Sequence, residues 1–340
     1  DVYKRQRMNL PVPVALNRLA AALRVFSLGI DLLVRAQTTT IRPNATLPGM
    51  TRWMALSALL WVTLGCSARN MAPPLAESAP AIAPEPLPER EPEPKTHRTV
   101  APPPPIRANN PVLWVSLASH LGGLESSPPL KLQSAGPDPL VLRDAAGGDW
   151  SGSSFQLHWR RVPLDQPLTL ARQVAGPFAS FESAERAAQR WRAFGVPAKV
   201  AHPKEWEVWA PAGAPAPEGL KTYGWSRQLN ATLEPFLETP AGSVVLKGPL
   251  KLQAADGLRW KGGVFQGPFR LQRDAYESWT LVEQVPVESY LKGVVPHEIG
   301  AGSPTNALQS QTVLARTWAL ANSHRFRIDG YHLCSDTQCQ

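Results

Sequence analysis

Proline sets the first limit on this chain. Twelve of its 36 prolines fall between Pro73 and Pro105, alternating with Glu, Ala and Arg. Proline has no amide N–H and a fixed φ, so such a run can neither propagate a helix nor pair inside a sheet. Residues 69–108 therefore read as a Pro-rich, disordered linker of polyproline II character that buries no core, and the 340 residues divide around it. Charge divides the same way. Of the formal net charge of +8, residues 1–72 carry +7, the stretch 73–108 carries −1, and everything beyond carries +2. The basic balance is an N-terminal property, so the foldable part has no nucleic-acid footprint.

Upstream of the linker, residues 1–49 read as adapter-derived or upstream sequence, or as an unstructured extension, because Met50 heads the better export signal. From Met50, Arg52 precedes the apolar run Trp53 to Leu64, which suits a signal-peptide core and is shorter than the roughly 20 residues of a membrane span. Gly65-Cys66 then resembles a bacterial lipoprotein processing site, making Cys66 a candidate for lipidation, with ordinary cleavage after Ala68 as the alternative. Residues 50–68 are thus expected to be a signal peptide. The protein is expected to be extracytoplasmic, in a bacterial cell envelope, touching a membrane only through that signal or a lipid anchor.

After Asn110 the texture changes to short Val/Leu-rich runs broken by Gly, Pro and Asp, the pattern of β-strands. They include Val112–Leu117, Leu130–Gln133, Leu140–Arg143 and Phe155–Trp159, giving a β-rich unit over 109–165. Pro129-Leu-Lys-Leu-Gln133 recurs as Pro249-Leu-Lys-Leu-Gln253 with similar surroundings, which suggests two related β-units. Between them, Gln173–Phe178 reads as a strand. Ser180 or Ser183 caps a helix whose Ala184, Ala187, Ala188, Trp191 and Phe194 form one apolar stripe, and Glu205–Trp209 closes the unit. This strand-helix-strand pattern over 166–212 resembles a SPOR domain, a resemblance that implies binding to peptidoglycan strands stripped of stem peptides. Trp206 and Trp209 face opposite sides of their strand, so at most one is expected to stack on a sugar.

Beyond Trp279 to Val285 the texture turns helical. Val285-Pro-Val-Glu-Ser-Tyr-Leu-Lys-Gly-Val-Val-Pro-His-Glu-Ile299 predicts a short helix stopped at Gly293 and a Pro296 turn presenting His297 and Glu298. A longer helix, capped by Ser303 with Pro304 in its first position, is predicted to about Ser323. Its inner face would carry Ala307, Leu308, Gln311, Leu314, Ala315, Trp318 and Ala319. Together with Gly330-Tyr-His-Leu-Cys-Ser-Asp-Thr-Gln-Cys-Gln340, these motifs resemble the stage II sporulation protein D family (SpoIID/LytB) over roughly 225–340, read as a catalytic domain cut short at its C-terminus. The resemblance implies a lytic transglycosylase acting on glycan strands stripped of stem peptides during cell-wall remodelling, or a non-catalytic relative that binds the wall or enhances an amidase. It places the catalytic acid at Glu298, and His297, Gln311, Arg316 and Thr317 as candidate substrate-binding residues. Arg316 would hold a loop carboxylate or a substrate lactyl carboxylate. Gln309 and Gly300 depart from the family's usual Lys and Pro. Such chemistry requires no cofactor. His332, Cys334 and Cys339 leave three readings open: zinc ligands, a Cys334–Cys339 disulfide, or free thiols. The fold expected overall is α+β, strand-rich with embedded helices, and the expected partners are peptidoglycan glycan strands and a cell-wall amidase.

Overall fold

The computed structural model describes residues 93–109 and 111–335, so the export signal, Cys66 and Cys339 lie outside the described residues. The fold is α+β and strand-rich. Two sheets carry β1 (Val112–Leu121), β2 (Leu130–Ser134), β3 (Leu140–Arg143), β4 (Asp149–Gly152), β5 (Ser154–Phe178), β6 (Lys199–Ala201), β7 (Trp206–Pro211), β8 (Thr222–Thr239) and β9 (Gly242–Val245). Completing them are β10 (Leu250–Ala254), β11 (Leu258–Trp260), β12 (Gly263–Phe265), β13 (Phe269–Arg273), β14 (Trp279–Pro286) and β15 (Leu333–Cys334). One sheet runs β15-β1-β14-β13-β10-β3-β4; the other runs β12-β11-β2-β5-β7-β6, with β8 on β5 and β9 on β8.

The repeated pentapeptide marks a reciprocal exchange. β2 and β10 share one burial alternation, with Leu130 and Leu132, and Leu250 and Leu252, turned inward. Each pairs with the strand that closes its own copy: Leu132 lies opposite Phe155 and Leu130 opposite Leu157, as Leu252 lies opposite Phe269 and Leu250 opposite Leu271. The intervening hairpins cross over. β3 pairs with β10, placing Leu140 opposite Ala254, while β11 pairs with β2, placing Leu258 opposite Ser134. The outer strands follow suit, β1 joining β14 and β9 joining β8. Because each copy's leucines alternate toward the other copy, the two bury one shared cluster of Leu, Phe and Trp side chains. The segments 109–165 and 242–286 are thus halves of one body.

β5 is far longer than the usual five or six residues because it serves two places. Its ladder with β8 is interrupted between Pro163 and Leu168, where Pro163 and Pro167 offer no N–H. Past this break it runs between β7 and β8. Helix α1 (Phe181–Ala193) covers one face of these strands. Ser180 is its N-cap, in a capping box with Ser183, and Phe181, Ala184, Ala187, Ala188 and Trp191 are buried. Phe194, expected on the apolar stripe, is 74% exposed because the helix has already ended there. Trp206 and Trp209 do face opposite ways, but both are buried, at 6% and 0%, so neither is open to a sugar. On the face opposite α1, the Arg172 guanidinium lies between the rings of Trp209 and Trp225, 3.5 and 3.7 Å from their centroids. Burial lowers its pKa to about 10.

The last part of the Pro-rich segment is packed rather than free. Lys95 makes a parallel bridge to Leu170, with backbone bonds to Thr169 and Ala171. Arg98 binds the Glu277 carboxylate through Nε and Nη2. Farther along, Pro103 is buried, and Ile106 packs into the cluster under the helices described next. Residues 95–107 thus form a strap, because a few backbone donors and one isoleucine suffice to dock a chain that has little conformational entropy to lose.

Candidate active site

Two antiparallel helices follow β14, α2 (Val287–Ile299) and α3 (Thr305–Ala321). Val287 opens α2 by donating its N–H to the carbonyl of Pro111 (2.9 Å). Val287, Leu291 and Val295 recur at helical spacing and are buried against Leu113, Val115 and Leu333, with Ala319 of α3 closing the cluster. That burial corrects the expected stop at Gly293: α2 continues through it and through Pro296 to Ile299. Proline inside a helix costs about 3 kcal/mol. Burying Leu291 and Val295 returns about 1.5 to 3 kcal/mol each, which decides the outcome. Ser303 is not a cap either; Pro304 holds that position, and the Ser303 hydroxyl donates to the carbonyl of Ile299 (2.6 Å).

Glu298 stands on the last turn of α2, exposed. Its Oε2 accepts a hydrogen bond from Nε2 of Gln311 on α3 at 2.6 Å. The half-buried Tyr290, on the same helix, feels this carboxylate, and burial together with the Glu298 charge pushes its phenol up to about 12. The apolar flank of Val294, Val295, Pro296 and Ile299 does not enclose the carboxyl. His297 is exposed, and its Nδ1 donates back to the carbonyl of Gly293 (2.6 Å).

Arg316 is engaged at the other end of the helix pair. Its Nε and Nη2 bind Oε1 and Oε2 of Glu288 at 3.0 and 2.8 Å, a bidentate clamp across α2 and α3. The hydrogen bond with Arg316 holds the Glu288 carboxyl below its usual range, and the same bond raises Arg316. Thr317 donates its hydroxyl to the carbonyl of Val313 (2.8 Å), a bond internal to α3. Of the candidate substrate-binding residues, then, the fold brings Gln311 onto Glu298 and leaves Arg316 and Thr317 elsewhere. Glu288 and Tyr290 were not singled out in the sequence. Their signal is visible only once α2 is known to be continuous, which puts Tyr290, Val294 and Glu298 four residues apart along it.

Residues 275–340 match the stage II sporulation protein family, SpoIID. An uncharacterized protein of Brachyspira hyodysenteriae is 31% identical over 80 residues, 22% of this chain and 20% of the relative, so the chain spans about a fifth of that protein's length. No solved structure matches. The SpoIID segment thus holds β14, α2, α3, the 3₁₀ turn Arg327–Asp329 and β15.

Within it, the zinc reading of His332 and Cys334 does not fit the donors. Nδ1 of His332 accepts from the N–H of Trp114 (2.9 Å), and Nε2 donates to the carbonyl of Pro104 on the strap (3.1 Å). Burial lowers this imidazole's pKa, which keeps it neutral. Both ring nitrogens are spent, and the Cys334 sulfur is in a disulfide. Among the described residues no group of three or more His, Cys, Asp and Glu side chains is placed to hold a metal. Nor, among them, is any helix long and apolar enough to cross a membrane. Two shallow cavities, about 310 and 250 Å³, share His202 at the seam between the α1 unit and the SpoIID segment; Glu298 lines neither.

Proposed function

We propose that this protein is an exported, cell-envelope protein that binds peptidoglycan glycan strands stripped of stem peptides and cleaves them as a lytic transglycosylase, with Glu298 as its acid and base. The observation that carries this reading is the placement of Glu298: an accessible carboxyl at the end of a helix anchored by buried side chains, with a neutral amide donor on one oxygen. The SpoIID match over the same residues supports a cell-wall role tied to sporulation. In the reaction, protonated Glu298 gives its proton to the glycosidic oxygen as the bond to the muramic C1 breaks. The carboxylate then takes the proton of the C6 hydroxyl while O6 closes on C1, giving a 1,6-anhydro sugar without consuming water. One carboxyl serves both transfers, unlike the paired carboxylates of glycoside hydrolysis. A cell-wall amidase would supply the stripped strands, and the SPOR-like unit over 166–212 would add affinity for them.

The test is Glu298→Gln in the full chain, assayed on amidase-treated strands. General acid-base groups contribute about 100- to 10,000-fold, so release of anhydromuramyl product should fall by that factor while strand binding persists. Full activity in the variant rules Glu298 out as the acid.

A second reading, a wall-binding module that enhances an amidase, is favoured by one observation. Glu298 is exposed, whereas an acid kept protonated near neutral pH needs enclosure. Wild-type protein that releases no anhydro product yet stimulates an amidase would establish that reading.

A further inference from the structure

We infer that Gln311 is a positioning residue for Glu298: its amide donates to the carboxylate, a neutral hydrogen bond that holds the carboxyl and favours its ionised form less than a cation would. The role rests on the reading of Glu298 as acid and base; the coupling between the two side chains does not.

In the observed arrangement the amide donates to the carboxyl, which favours the ionised form over the protonated one, by less than a lysine or arginine in its place would. Gln311 is half-buried on the inner edge of α3, and its Nε2 is 2.6 Å from Oε2 of Glu298. The charged groups nearby are arranged to leave this bond neutral. Arg316 is the single charged residue in the span Thr305–Ala321, and the Nε–Nη2 edge of its guanidinium is taken by Glu288 at the opposite end of the helix pair. Lys292, the cation on α2, lies close enough to Glu288 to lower its carboxyl. His297, next to Glu298, is turned back on Gly293. Tyr290 is the other titratable group that senses Glu298, and its raised phenol stays neutral.

No cation therefore faces Glu298 among these groups. That matters for an acid that must hold a proton and give it up, because a lysine or arginine in Gln311's place would favour the ionised form throughout. A hydrocarbon there would leave the carboxyl free to rotate and deprive the ionised form of a donor. Both substitutions disturb the same residue, in opposite directions.

The direct test follows the Glu298 carboxyl carbon by NMR in the full chain labelled with ¹³C-glutamate, the resonance being assigned by its loss in Glu298→Gln. Gln311→Leu should raise the titration midpoint by about one pH unit, a tenfold change in the ionisation equilibrium. Gln311→Lys should lower it below that of the wild type. Circular dichroism checks that each variant keeps its helices. An unchanged midpoint in Gln311→Leu, or a shift of the same sign in both variants, overturns the inference, since a merely structural glutamine would give one or the other. This readout needs no turnover. If the midpoints move as stated but the wild type makes no anhydromuramyl product, the transglycosylase reading falls and the coupling stands. With turnover present, Gln311→Leu should cut kcat about tenfold at nearly constant KM and carry the descending limb of the pH profile to higher pH. A rise in KM alone would instead make Gln311 a substrate contact.

Discussion

The exchanged β-body and the helix pair α2–α3 are built on opposite terms. In the body, leucines from both copies are essentially without exposure, Leu130, Leu132, Leu250 and Leu252 each at 2% or less. In α3, one residue of 17, Ala319, is buried, and Val313 and Leu314 are 58% and 48% exposed. The body is held by apolar area, whereas the helix pair is held by a short cluster beneath α2 and two polar links, Arg316 to Glu288 and Gln311 to Glu298. Stability and candidate chemistry thus occupy different parts of the molecule, so the second can be altered without unfolding the first.

The sharpest way to break that contrast is to remove volume from the body. Leu132→Ala and Leu252→Ala occupy equivalent places in the two copies, and each should cost about 3 kcal/mol in urea unfolding, within the range of about 2 to 5 for buried leucines. Equal losses support the equivalence of the copies, and a loss below about 1 kcal/mol at either site refutes it.

A smaller effect belongs to the junction between body and helices. Asp329, in the turn after α3, is 1% exposed and accepts from the Tyr276 hydroxyl (2.9 Å). Burial, and then the charge of Asp274, raise its carboxyl well above the usual range. With the folded value above the unfolded one of about 3.8, its contribution to stability is complete below that value and is lost as pH climbs through the folded one. Asp329→Asn keeps an acceptor for Tyr276 and should flatten the loss of stability with rising pH. Denaturant midpoints across a pH series give the comparison, and parallel curves for both proteins would refute it.

The smallest expected effect is on the outer face of α3. Leu314→Glu should change stability by no more than about 0.5 kcal/mol, since little is buried there. A loss above about 2 kcal/mol in the same urea experiment would mean that this face is covered in solution, and the contrast would collapse.

The parts visible in the sequence were those written in periodicity and in motifs. Alternation gave β2 and β10, and their shared pentapeptide announced the two related units. The crossing of the hairpins was hidden, because alternation tells which face a residue takes and not which strand lies opposite. Gly293 and Pro296 misled for a related reason: local preference marked an ending, and the side chains packed under Leu291 and Val295 overrode it. The stripe on α3 was half right. Ala315, Trp318 and Ala319 turn inward, while Ala307 and Leu314 do not: Ala307 lies a turn before Gln311, past the end of α2, and Leu314 sits on the flank of α3, about 100° around the helix from Ala315. The motif singled out Glu298 as a candidate. Its hydrogen-bond partner was not legible there, nor was the diversion of Arg316 to Glu288, because both depend on how two helices face each other.

The strap has a mechanical consequence. A pull on the chain upstream of residue 93 meets Lys95 first, where backbone bonds to Thr169 and Ala171 join it to β5, and then the ion pair of Arg98 with Glu277. Load enters the long central strand there. Only after those links give way does tension reach Pro104 and Ile106, and through them the footing of α2. The strap works as a strain relief, like the clamp on a cable ahead of its connector, and the helix pair can keep its geometry while a load is applied ahead of it.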